Sequence, residues 1–338
     1  MLRFFLEEDG GRPRALWRLL GQFAAFLAIT AVLSGVLTSV WLAAGSASLG
    51  ESGRSAGVSP AFFFIGSLAS LLAIFASLWL AGRFLDRRPL RDFGLRLSGG
   101  WLVDLFFGMF LGALLMTGIF LIEWSAGWVS VTGAFETVEP GAPFALAMLL
   151  PVGVFLCVGI YEEMLSRGYQ IRNVAEGLNY PAVGPRAAVV AAWVLSSSVF
   201  GALHLFNPNA SLLSTFNIAL AGLLLGAGYV LTGELAIPIG LHITWNFFQG
   251  NVYGFPVSGL NPLGATFLTT EPSGPKIWTG GAFGPEAGLL GLATMLAGVL
   301  LIMLWVKLRN GKVAIHTSLA QDPRKLPASE TSKSLSPE

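Results

Sequence analysis

Three short clusters of polar residues interrupt otherwise apolar stretches of this chain, and their residue types are those of water activation. The first is Gly159-Ile-Tyr-Glu162-Glu163-Met-Leu-Ser-Arg167. On a helix, residues four apart share a face, and an acid four residues ahead of a base is the favourable order. Glu163 and Arg167 are so spaced, which leaves Glu162, rotated by about 100°, without that partner. One carboxylate therefore reads as structural and paired, its neighbour as free to act as a base. The second cluster runs from Phe200 to His204 and the third from His242 to Asn246, again one helical turn apart.

A carboxylate can take a proton from water, imidazoles can polarise the same water or hold a metal, and an amide can donate to a developing oxyanion. Two histidines with Glu or Asn would suit a divalent, zinc-like ion, although the spacing is not the HExxH of soluble zinc proteases. Taken singly, each cluster has a plainer reading: a structural ion pair, a packed histidine, an amide that glues two helices. An ionisable side chain inside a membrane span costs a few kcal/mol, so three clusters together point to a buried polar site. Residue chemistry alone leaves open hydrolysis, proton-coupled transport, and a non-catalytic scaffold or immunity protein.

The elements that must position these residues are transmembrane helices. Of 338 residues, 54% are hydrophobic and 12% charged, where a soluble domain carries about 25%. Such a chain cannot cover a water-exposed surface. Apolar runs near the roughly 20 residues that a bilayer requires occur at 17–44, 60–82, 101–124, 143–166, 187–206, 211–231, 236–252 and 285–307. The expected fold is an all-α, polytopic transmembrane bundle of about eight spans with a polar site within the bilayer. The first run is long enough to be a span rather than a signal-peptide core. The seventh is the weakest, because Pro238 and a histidine interrupt it.

Arg3, Arg12, Arg14 and Arg18, then five arginines between 83 and 100, then Arg167, Arg172 and Arg186, then Lys307 to Lys325 fall in alternate connections. The positive-inside rule then puts both termini in the cytoplasm of a multi-pass cell-membrane protein. A net charge of +1 gives no cause to expect nucleic-acid binding. Cys157, the single cysteine, reads as a packing residue. Asp104 and Glu123 are expected at the interfaces, Glu234 in a solvated turn, and Trp101, Trp124, Trp128, Trp278 and Trp305 in interfacial belts. The Gly/Pro-rich segment 253–284 is a candidate flap, and the Gly-Gly-Ala-Phe-Gly-Pro-Glu286 segment could gate a substrate, although a plain turn is the simpler reading. Residues 313–338 read as a disordered tail with a solvated His316.

The motifs EExxxR (Glu162-Glu163-Met-Leu-Ser-Arg167), FxxxH (Phe200 to His204) and HxxxN (His242 to Asn246), in this order on hydrophobic spans, resemble the signature of the CPBP family of intramembrane endopeptidases. That family includes CAAX prenyl proteases and bacterial abortive-infection-type proteins. The resemblance covers about residues 90–255, between an N-terminal segment with two helices (1–89) and a loop with a last helix (256–312) and tail (313–338). It implies an intramembrane, CPBP-type (metallo)endopeptidase acting on membrane-associated peptides, with membrane lipid around it. By motif position, Glu162 would be the general base, and Glu163 and Arg167 would shape the helix end. His204 and His242 would bind metal or polarise water, and Asn246 would stabilise the oxyanion. One expectation conflicts with straight helices: if span four ends at 166, the depths of Glu162, His204 and His242 do not match.

Overall fold

In the structure, a computed structural model, residues 5–7, 11–43 and 60–322 are described. The expected loop 45–59 and the tail from 323 lie outside the described residues. Helices α1 (Ala15–Ala43) and α2 (Pro60–Leu80, extended by a π turn to Asp86) form the N-terminal pair. The rest of the bundle is α3 (Gly99–Ser125), α4 (Phe144–Leu178), α5 (Gly184–Leu203), α6 (Leu212–Thr232), α7 (Ala236–Phe247) and α8 (Leu289–Asn310). Among the described residues, seven helices are long and apolar enough to cross a membrane. The remaining expected span, the seventh, is α7, of 12 residues plus a π turn, Phe248–Val252.

Local chemistry sets the helix ends. The Ser98 hydroxyl accepts from the backbone N–H of Trp101 at the start of α3. Ser211 and Ser214 cap one another at the start of α6, and Gly233 ends that helix with φ 76°. Outward faces are apolar: Phe106, Phe110, Leu149, Leu300 and Leu304 are exposed, as lipid contact requires. Inward, lipid tails give helices no hydrophobic reason to associate, so close approach must supply the attraction. Gly108 on α3 and Gly240 on α7 provide it: a Cβ on Gly240 would lie 2.2 Å from the Leu105 carbonyl oxygen, and one on Gly108 2.3 Å from that of Ile237. On the other side of α7, Gly159 of α4 meets Ile243. Every residue from Ala236 to Trp245 is buried.

Three differences from the sequence reading stand out. First, α4 continues through a π turn, Met164–Ile171, to Leu178, well past 166. Its charged residues find protein partners, so the helix need not stop at them. With about 1.5 Å per residue, Glu162 then lies about 24 Å from the end of α4. His204 lies about 30 Å from the start of α5, which removes the depth conflict. Second, the expected loops 125–142 and 253–284 contribute to a two-stranded antiparallel sheet, β1 (Val129–Thr137) with β2 (Ala265–Pro272), registered Val129↔Pro272 to Thr137↔Ala265. Third, residues 313–322 are packed rather than disordered. The His316 N–H donates to the Val230 carbonyl, and Leu319 and Ala320 are buried.

At that end of the bundle Glu176 accepts from Arg12 (2.8 Å), Arg18 (2.9 Å) and Arg88 (2.6 Å), while Arg18 also reaches Asp86 (2.9 Å). Arg12 pairs in addition with Asp322 at 3.3 Å, so the N-terminal segment and the chain after α8 meet at one end. Several arginines that read as loop charges are thus buried in an ion network. Nearby expectations shift as well: Glu123 is fully buried, Trp101 is buried, and Glu234 is partly covered beside Arg96.

Candidate active site

Glu162 and Glu163 lie where α4 passes from α-helical to π-helical hydrogen bonding. Such π turns recur at functional sites because the extra residue re-aims the side chains around it. Adjacent on the helix and so about 100° apart, the two carboxylates face different surroundings. Glu163 is fully buried, and its Oε1 accepts from Arg167 Nη1 at 2.9 Å and from His242 Nδ1 at 2.7 Å. Arg167 also donates to the Gly222 carbonyl (3.2 Å), and its guanidinium lies over the Phe200 ring, 4.4 Å from the centroid. One buried anion therefore has two donors, and the cation has an acid, a carbonyl and an aromatic face.

Glu162 faces a cavity of about 650 Å³ whose wall includes Glu162, His204, His242 and Asn246. Its Oε2 is 3.9 Å from His242 Nε2, too long for a direct hydrogen bond and close to the span of a water shared by both groups. Because Nδ1 of His242 is used on Glu163, that bond selects the tautomer whose Nε2 is an acceptor facing the cavity. Tyr161 lines the same cavity. His204 sits in the 3-10 turn after α5, its Nδ1 2.7 Å from the Phe200 carbonyl and its ring 4.8 Å from that of Phe200. The Phe200 ring in turn meets His242 edge-on at 6.3 Å.

The structure thus brings together on one cavity four of the six residues the sequence singles out. The other two, Glu163 and Arg167, stand behind the wall and hold it. The sequence did not reveal the Glu163–His242 bond, which joins residues 79 positions apart, nor Glu286. That carboxyl also lines the cavity, yet it sits in a Gly/Pro-rich turn where an acid looks solvated. The polar residues of α1 and α2 on the cavity, Ser34, Ser67 and Ser70, also gave no signal, since a serine in an apolar helix can bond its own backbone. Among the described residues no three His, Cys, Asp or Glu side chains are grouped closely enough to hold a metal ion. A catalytic zinc site needs about three protein ligands, so the side chains as placed do not fit one.

Neither a curated protein nor a solved structure matches the chain. Residues 144–248 match the family described as type II CAAX prenyl endopeptidase Rce1-like. This segment holds Glu162, Glu163, Arg167, His204, His242 and Asn246. Over this segment the chain, a helical membrane protein, is similar to that family of proteases.

Proposed function

We propose that the chain is an intramembrane endopeptidase that hydrolyses peptide bonds of membrane-associated substrates, CAAX-type proteins among them, with Glu162 as general base. The observation that carries this reading is the 3.9 Å approach of Glu162 Oε2 to His242 Nε2 at the wall of a shared cavity. A water between them directs one proton to Glu162 and the other to Nε2, and leaves a lone pair for the scissile carbonyl carbon. As the C–O bond forms, the water proton passes to Glu162 and the carbonyl oxygen becomes an oxyanion, to which the Asn246 amide donates. The proton on Glu162 then passes to the amide nitrogen as the C–N bond breaks. His204, beside Phe200 on the same wall, orients the water or the substrate carbonyl. Glu163 keeps the His242 tautomer fixed, and Arg167 holds Glu163 in place through their 2.9 Å contact. No step is routed through a metal.

Both ends of the described chain lie by the arginine-rich network around Glu176, which supports cytoplasmic termini. The test is cleavage of a membrane-embedded peptide library in proteoliposomes by the wild-type chain and by Glu162→Gln. Wild-type cleavage that the variant loses is expected. Equal cleavage by both would sink the assignment.

A further inference from the structure

Segment 253–264, beyond the stretch that matches the protease family, supplies a wall of the cavity through Val257, Ser258, Leu260 and Asn261. Its tip is a tight turn in which Val257 and Leu260 exchange backbone hydrogen bonds of 2.8 and 2.9 Å. Ser258 there has φ 49°, a left-handed conformation that a residue with a Cβ keeps only when its surroundings hold it. What holds it is Glu286, in the short turn before α8. Oε1 of Glu286 accepts from the Ser258 backbone N–H at 2.5 Å and from its hydroxyl at 3.3 Å, and Oε2 accepts from the Gln249 side chain.

Both partners lead back to the site. Gln249 lies three residues beyond Asn246, in the π turn that continues α7, and its amide also donates to the Pro256 carbonyl at 2.6 Å. The Ser258 carbonyl accepts from Asn207 Nδ2 at 3.0 Å, and the Asn207 N–H donates to the His204 carbonyl at 3.1 Å. Phe200, Ile218, Phe283 and Ala287 pack into one small core beneath these turns. A single buried carboxyl, its hydrogen-bond partners all uncharged, thus ties the His242–Asn246 helix, the His204 turn and the cavity wall to one another.

We propose that Glu286 is a positioning residue of this site: by accepting from Ser258 and Gln249 together, it fixes the Val257–Leu260 turn as the wall against which substrate is seated. Its role in turnover rests on the hydrolytic reading above; its role in holding the turn does not. Replacing it frees the left-handed turn, which relaxes into the cavity mouth and weakens substrate binding more than the chemical step.

The experiment separates the two. In a Cys157→Ser background, Leu260→Cys carries a nitroxide label in proteoliposomes, and its mobility is compared with and without Glu286→Ala. The unlabelled chain is assayed for cleavage in parallel. The expected result is an immobile label that becomes mobile in Glu286→Ala, with KM raised about tenfold and kcat within about threefold. Glu286→Gln, which keeps one acceptor oxygen for the Ser258 N–H and guards against a misfolded alanine variant, restores most of both. A label whose mobility ignores both substitutions overturns the proposal. So does a mobile label with unchanged KM, which would make Glu286 a tie of the fold alone. Absence of cleavage by the wild-type chain would remove the hydrolytic reading, while the label would still report whether Glu286 holds the turn.

Discussion

His242 donates through Nδ1 to Glu163 Oε1 over 2.7 Å, so the imidazole that faces the cavity is oriented by an acid that does not. Adjacent carboxylates on α4 thereby take different duties. Glu163 is a buried anchor with two donors, and Glu162 borders the cavity, where the proposed reading makes it the base. The division predicts opposite phenotypes. Glu163→Ala leaves the buried Arg167 without its counter-ion and is expected to cost about 3–5 kcal/mol, read as a fall in melting temperature in detergent. Glu162→Gln should change stability by no more than about 0.5 kcal/mol while cleavage drops about 10²- to 10⁴-fold. Matching stability losses in both variants would refute the division.

Asn246 gives a second test, because an amide aimed at a developing oxyanion acts on the transition state and little on the bound substrate. Asn246→Ala is expected to lower kcat by about 10²- to 10³-fold with KM nearly unchanged. A rise in KM at constant kcat would assign Asn246 to ground-state binding instead.

Helix packing around α7 predicts a contrast between two glycines. A methyl group at Gly240 would meet the backbone of Leu105 and Met109, whereas at Gly118 it would meet nothing within 4 Å. Gly240→Ala should destabilise by about 1–3 kcal/mol. Gly118→Ala should be neutral or gain up to about 1 kcal/mol from helix propensity. Thermal unfolding of the two variants in one detergent decides the matter.

How much of this was legible in the sequence follows from where the partners lie. Glu163 and Arg167 are one turn apart on one helix, so their pairing could be read from spacing. Glu162, His204, His242 and Asn246 stood out because polar side chains in apolar runs are costly. The bond between Glu163 and His242 crosses from α4 to α7, and no local rule finds it. The two-stranded sheet was hidden for the same reason: its strands pair across more than a hundred residues, and each alone is a Thr-rich stretch between helices. The arginines that set the charge asymmetry looked solvated because their shared partner, Glu176, lies at the far end of a helix that the sequence appeared to stop at 166. The packed residues 313–322 were missed because their polar composition resembles a tail, while their anchors, buried Leu319 and Ala320 and the Asp322–Arg12 pair, depend on partners far away in the chain.

Outside the spans, burial pushes the Glu234 carboxyl up to about 7, from the usual 4.5, and the neighbouring Arg96 only partly offsets it. A carboxyl whose pKa is raised by folding holds its proton more tightly in the folded state. Its stabilising contribution is therefore complete below about pH 4.5, declines as pH rises to about 7, and is gone above. The decline amounts to at most about 3 kcal/mol. Glu234→Gln should flatten the fall in melting temperature across that window. An unaltered slope would assign it to another group.

The grouping of donors also bears on metal dependence. With no three-ligand set among the described residues, cleavage is expected to survive prolonged treatment with a chelator. Loss of cleavage that zinc restores would recast Glu162, His204 and His242 as ligands.

Helix α7 has 12 residues, its length from Ala236 to Trp245 is buried by its neighbours, and it is not among the helices apolar and long enough to cross a membrane unaided. It carries two of the four groups on the cavity. During biosynthesis such a segment gains little by partitioning into lipid on its own and is accommodated only when the longer helices have already assembled around it. On the hydrolytic reading proposed above, competence would then depend on the docking of α7: a chain in which it has not docked would have Glu162 but lack His242 and Asn246 beside it.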